Sequence, residues 1–354
     1  MPNDYYSSFF GGNGSNNQDY VSEDPEFDRF IIKGAKKTFS RIFGALALYT
    51  VIAVALSFIT SFVILLISKE LYNSIFGTAL GQGAANAIIM YLICIPIFYL
   101  MVRKMETRTV WKKRFTLREF IEILAISELL MTAGNYIGVF LNTIIGSLMN
   151  RTITNTVSES ISSSPIWVMI VFSVILAPIA EELLMRKLLL DRLSKYGSGF
   201  ALIISAIAFG LFHGNFYQFF YATFLGFVLG YLYLRGGLKY SILLHMIINF
   251  MGSVGATLYT DAADQIIAAE DPTKVAPTAA LIVLLYSAIT YGLMLYGLVL
   301  LFVKFRRGEL SLKPLDDARI RIPEGARTGA VLSNPGTIFF LIVSVLNIIF
   351  SLFL

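Results

Sequence analysis

Long apolar runs separated by short charged segments dominate the chain. Nine runs are candidates for crossing a bilayer core of about 30 Å. They lie at approximately 43–67, 84–102, 120–149, 166–190, 199–213, 216–234, 241–258, 279–303 and 337–354. The fifth is short and its link to the sixth is tight, which leaves open a hairpin of half-buried or tilted helices in place of two full spans. Only helices or closed barrels satisfy backbone polar groups in lipid. These runs are too long and too uniformly apolar for barrel strands. The pattern predicts an all-α, polytopic membrane helix bundle of about eight to nine transmembrane helices.

Outside the runs the chain is polar. Residues 1–28 are acidic and rich in Gly and Asn, and Lys33, Lys36, Lys37 and Arg41 follow. Residues 1–41 therefore read as a disordered, basic-ended cytoplasmic tail, and 42–354 as the integral membrane domain. With no apolar core in the first 25 residues, no cleavable signal peptide is evident. The first long run would then insert uncleaved. Residues 304–336, with Pro314, Pro323 and Pro335, form a basic loop suited to anionic lipid headgroups.

Charge placement tests the span count. With the N-terminus in the cytoplasm and alternating spans, only Lys69, Arg151 and Lys274 of the 28 basic residues fall outside. The outer loops of this arrangement carry Glu159, Asp261, Asp264, Glu270 and Asp271. This agrees with the positive-inside rule and places the C-terminus outside. It also changes the meaning of the net charge of +5: the cations set topology, and no nucleic-acid partner is expected. Hydrophobic residues make up 56% of the chain and charged ones 14%, against about 25% charged in soluble domains. One cysteine, Cys94, excludes an intrachain disulfide framework or a Cys-rich metal site.

Ionisable groups inside the runs are costly, and they concentrate in three places. Glu181 and Glu182 lie in the fourth run with Arg186 and Pro178. His213, one of two histidines in the chain, ends the fifth. His245, the other, lies in the seventh with Asn249. Glu182 and Arg186 are four apart and share a helix face. Glu181 is rotated by about 100° and points elsewhere, free to accept a proton. Pro178 removes a backbone hydrogen bond and kinks the helix, opening room for water. His245 and Asn249 share a face, with donors for a developing oxyanion. Phe209 lies one turn before His213 and can buttress it. This set suits activation of water for attack on a carbonyl. The bland reading is interhelical hydrogen bonding by lone polar groups and a Glu–Arg pair at a membrane boundary. Glu122 reads as interfacial; Glu128 lies deeper, with no assignable partner. Counting about 1.5 Å per residue, Glu181 and Asn249 reach similar depth, whereas His213 falls deeper unless its helix tilts or starts late.

There is no His-Glu-x-x-His zinc helix, no Gly-x-Ser-x-Gly elbow and no pair of intramembrane aspartates. Two imidazoles and a carboxylate at this dispersed spacing make zinc a minority reading.

The ordered trio Glu181-Glu182-Leu-Leu-Met-Arg186, Phe209-Gly-Leu-Phe-His213 and His245-Met-Ile-Ile-Asn249 resembles the CPBP family of CAAX proteases and bacteriocin-processing enzymes, also called Abi, over roughly residues 165–255. The resemblance implies an intramembrane glutamic endopeptidase with no catalytic metal or other cofactor, acting on a peptide or membrane-protein tail. It implies that Glu181 activates water with help from His213, and that His245 and Asn249 stabilise the oxyanion. Glu182 and Arg186, with Pro178 and Phe209, would support the site. The family has also been described as metal-dependent. Two other classes remain: a non-proteolytic membrane regulator or bacteriocin self-immunity protein, and a proton-coupled transporter, against which the lack of repeat symmetry counts.

Overall fold

The computed structural model describes residues 24–108, 113–269, 275–309 and 318–353. Residues 1–23, and Glu270, Asp271, Lys274 and Pro314 of the expected loops, lie outside the described residues. In chain order the helices are α1 (Pro25–Ile67), α2 (Lys69–Phe76), α3 (Ala79–Val102), α4 (Leu117–Leu148), α5 (Thr156–Ser162), α6 (Ile166–Tyr196), α7 (Ser198–Phe212), α8 (Phe216–Gly236), α9 (Leu238–Ala268), α10 (Pro277–Arg306), α11 (Glu324–Leu332) and α12 (Pro335–Ser351). No strand occurs among the described residues. Seven of these helices are long and apolar enough to cross a membrane, and eight if α11 and α12, bent by 58°, make one span. The remaining apolar run, the fifth, is α7. It has only 15 residues and turns back directly into α8, so this pair is a hairpin rather than two equal spans.

One expectation is corrected at the N-terminus. Residues 25–41 are not a tail but the first turns of α1, a helix of 43 residues. Asp24 caps it by accepting from the Glu26 amide at 2.9 Å, Pro25 fits the first turn, and Glu26 and Asp28 suit the positive helix end. Ile31, Ala35, Phe39, Ile42, Phe43 and Leu46 form a buried stripe. The intervening lysines hide its period of three to four. Phe39 packs on Tyr196 and Phe200, with ring centroids 5.5 and 6.1 Å away, and Phe43 packs on Phe340. The Tyr196 hydroxyl donates to Thr38 Oγ1 at 2.9 Å.

The first and last helices pack together. The Gly336 amide donates to Ser40 Oγ at 3.1 Å, and a methyl group at Gly336 would collide with the Ser40 carbonyl. Gly336→Val is expected to push α12 off α1 and lower the thermal melting temperature of detergent-solubilised protein. Overpacking costs about 1–3 kcal/mol; an unchanged melting temperature would refute this close approach. On the other side of the bundle, Gly134 and Gly138 let α4 approach the backbone of α8 at Tyr221 and Phe216, the small-residue spacing used between membrane helices.

Four stretches wind as π-helix: Ile88–Cys94 in α3, Met169–Leu176 and Leu183–Leu190 in α6, and Met251–Gly255 in α9. Such turns cluster at functional sites. The six residues Ala177–Glu182, which carry Pro178 and both glutamates, lie between the two π stretches of α6.

Candidate active site

The site is built on a gap in the backbone of α6. In the π turn the Ala177 amide bonds to the Phe172 carbonyl, five residues back. In that register the Ser173 carbonyl would be served by residue 178, which is proline and has no N–H. The Asn249 side-chain amide, from α9, donates to the Ser173 carbonyl instead, at 2.8 Å. Ser253 holds the other end of this link, its hydroxyl donating to the Asn249 carbonyl at 2.6 Å. Pro178 and Asn249 thus form a joint between α6 and α9. Asn249→Leu would leave a carbonyl unpaired, at a cost of about 1–3 kcal/mol, and should lower the melting temperature. A variant as stable as the parent would remove this role.

Next along α6, Glu182 and Arg186 are fully buried, each with 0% of its side chain exposed. Arg186 donates from Nε to Glu182 Oε2 at 3.0 Å and from Nη2 to Oε1 at 3.4 Å. Its Nη1 donates to Ser205 Oγ of α7 at 3.0 Å, and that hydroxyl donates in turn to the Met185 carbonyl at 3.3 Å. The guanidinium lies 5.2 Å from the Phe209 ring centroid. A buried ion pair is sustained only when such extra partners satisfy its remaining groups.

His245 stands between the two glutamates. Its Nδ1 is 3.3 Å from Glu182 Oε1, and its Nε2 is 3.8 Å from Glu181 Oε2. Each ring nitrogen faces a carboxylate, and the imidazole is 3% exposed. The Glu181 side chain is 21% exposed. It lines a narrow cavity with Tyr49, Met90, Tyr91, Ile95, Ala180, Leu184 and Phe212. The adjacent glutamates are therefore separated in environment: Glu182 is sealed by charged and polar partners, and Glu181 meets open space.

His213 follows the last residue of α7. Its Nδ1 lies 2.8 Å from the Phe209 carbonyl. A carbonyl only accepts, so Nδ1 carries a proton. The Phe209 ring contacts both imidazoles edge to face, with centroids 4.8 Å from His213 and 5.9 Å from His245. Asn215, which caps α8, donates to the His213 carbonyl at 3.0 Å and fixes the turn.

Glu181, Glu182, Arg186, Phe209 and His245 thus form one cluster. His213 joins it through Phe209, and Asn249 and Pro178 lie one link away at Ser173. The pairing differs from the sequence expectation. His245, rather than His213, is the imidazole beside Glu181, and Asn249 directs its amide at the α6 backbone. Sequence reasoning missed Ser205, Tyr49 and Tyr91; their signal was a polar tip within an apolar run. Among the described residues no three His, Cys, Asp or Glu side chains are placed to hold a metal ion.

The fold and this cluster define a multi-pass helical membrane protein with a carboxylate–imidazole site within the bundle. Comparison with known proteins narrows the class. Residues 163–251 match the family model of Type II CAAX prenyl endopeptidase Rce1-like proteins. The match contains every motif residue from Pro178 to Asn249 and bears out the resemblance read from the trio. The chain is also similar to the Bacillus subtilis (strain 168) protein named "Putative membrane peptidase YdiL", with 27% identity over 158 residues. That alignment covers 42% of this chain and 62% of the relative. No solved structure matches. Tyr49, Met90, Tyr91 and Ile95, which wall the cavity opposite Glu181, lie outside the matched segment.

Proposed function

We propose that this chain is an intramembrane endopeptidase that hydrolyses a peptide bond in a membrane-associated peptide or protein tail. One observation carries the reading: of two adjacent glutamates sharing one imidazole, the first opens onto a cavity and the second is sealed. Glu181 is the base. It takes a proton from water as the water oxygen bonds to the carbonyl carbon. It then returns that proton to the amine nitrogen as the C–N bond breaks. His245, facing Glu181 through Nε2, holds the carboxylate in place. Glu182 and Arg186 anchor His245. His213 stands on the far side of Phe209 as a second polar wall. The matched family segment and the peptidase-named relative support the same class of reaction.

The distribution of lysine and arginine supports a cytoplasmic N-terminus and an outer C-terminus, which makes the basic segments around α6–α7 and α8–α9 cytoplasmic.

The test uses purified protein in liposomes and a panel of peptides with apolar or lipidated C-termini, with products read by mass spectrometry. Cleavage by the parent and none by Glu181→Gln supports the reading. Equal cleavage by both removes Glu181 from the chemistry. A membrane phenotype retained by a folded Glu181→Ala, His213→Ala double variant would favour a non-proteolytic regulator.

A further inference from the structure

The donors around Glu181 are almost all spent. Arg186 gives its Nε and both terminal nitrogens to Glu182 and Ser205. His213 gives Nδ1 to the Phe209 carbonyl, and Asn249 directs its amide at the Ser173 carbonyl. Both nitrogens of His245 face carboxylates. Backbone amides in this part of α6 are tied into the helix. A carbonyl oxygen that gains negative charge in the cavity therefore needs a donor from another wall.

That wall is α3, and its polar groups are Tyr49, reaching across from α1, and Tyr91. Tyr49 is committed: its hydroxyl donates to the Met90 carbonyl at 2.9 Å. The same carbonyl accepts the Ile95 amide that closes the π turn. Tyr49 thus pins the residue next to Tyr91. Tyr91 lines the cavity with Glu181, and its hydroxyl bonds to no described protein group. At neutral pH a phenol, with an ordinary pKa of about 10, retains its proton and can donate it in a hydrogen bond.

We propose that Tyr91 is a catalytic residue that hydrogen-bonds the carbonyl oxygen of the scissile peptide bond, with Tyr49 as its positioning residue. The inference rests on the endopeptidase reading. As the water oxygen adds to the carbonyl carbon, the C=O π pair moves onto the oxygen, and the Tyr91 O–H stabilises that charge without transferring its proton. Collapse restores the C=O bond, breaks the C–N bond and draws the proton held by Glu181 onto the amine. Catalysis then requires a residue from outside the 163–251 segment, and the substrate carbonyl must face α3.

The experiment compares the full-length parent, Tyr91→Phe and Glu181→Gln in liposomes, first for peptide cleavage. It then measures binding of an apolar peptidyl trifluoromethyl ketone, whose hydrate mimics the tetrahedral intermediate, against the matching methyl ketone. Losing one oxyanion donor costs about 10²–10³ in kcat, so Tyr91→Phe is expected to lose on the order of 100-fold in kcat with KM changed by less than about twofold. It should also lose the parent's preference for the trifluoromethyl ketone. The change removes one oxygen with no partner among the described residues, so the melting temperature should hold; a clear fall would make the hydroxyl structural and overturn the proposal. Glu181-dependent cleavage that Tyr91→Phe leaves unchanged, with the ketone preference intact, overturns Tyr91 alone. Absent Glu181-dependent cleavage with a Tyr91-dependent ketone preference keeps Tyr91 as a carbonyl donor and overturns the endopeptidase. Absence of both overturns both.

Discussion

Glu181→Gln should abolish peptide cleavage while leaving the protein folded. Glutamine keeps the shape of the side chain and its reach toward His245 Nε2 but cannot accept a proton from water. A positioned general base is worth about 10²–10⁴ in rate, so the variant should fall by at least two orders of magnitude. Its melting temperature should stay near that of the parent, because Glu181 is partly exposed to the cavity and faces His245 Nε2 at 3.8 Å, beyond hydrogen-bond distance. The paired measurement, turnover and melting on the same preparation, decides between chemistry and scaffold. Parallel losses in both would recast Glu181 as structural.

Arg186→Met should have the opposite signature. Methionine fills part of the space beside Phe209 but leaves Glu182 buried with only His245 facing it, and leaves Ser205 without its donor. Stranding one member of a buried pair costs about 3–5 kcal/mol, enough to make much of a marginal protein unfold. Replacing both members, as in Glu182→Leu with Arg186→Met, removes the charge along with its partner and should recover much of the stability, since apolar replacement of a whole buried pair is often neutral or better. Activity should not return with it, because His245 would have lost its Nδ1 anchor. Detergent melting curves of the two single variants and the double form the cycle that checks this. Additive losses would show that Glu182 and Arg186 are not coupled.

The two variants separate adjacent residues of one helix, and the separation was partly legible in the sequence. The four-residue interval fixes the Glu182–Arg186 pair, and the rotation of about 100° per residue turns Glu181 away from it. The long apolar runs were equally legible, because the bilayer imposes their length. Contacts between helices were not. His245 stands between the glutamates because of how α9 is set against α6, and spacing within α9 carries no information on that register. Asn249 fits a hole that exists only when residues 169–176 wind as a π-helix, and no local pattern distinguishes this from an α-helix followed by proline. The start of α1 was obscured by Lys33, Lys36 and Lys37, which interrupt the stripe formed by Ile31, Ala35 and Phe39. Tyr91 escaped notice because a tyrosine in an apolar run is ordinary; only the accounting of donors around Glu181 singles it out.

The seam between α1 and α12 bears on biosynthesis. α1 has part of its partner surface on α12, which is made almost 300 residues later. At about 5–20 residues per second, the Phe43 face of α1 waits on the order of tens of seconds for Phe340 and Gly336 to emerge. Until then this apolar face is covered by lipid or by other helices. A ribosome stalled before residue 335 would leave a chain with every motif residue inserted and this seam unmade. Such a chain separates the folding of the site from the closure of the bundle.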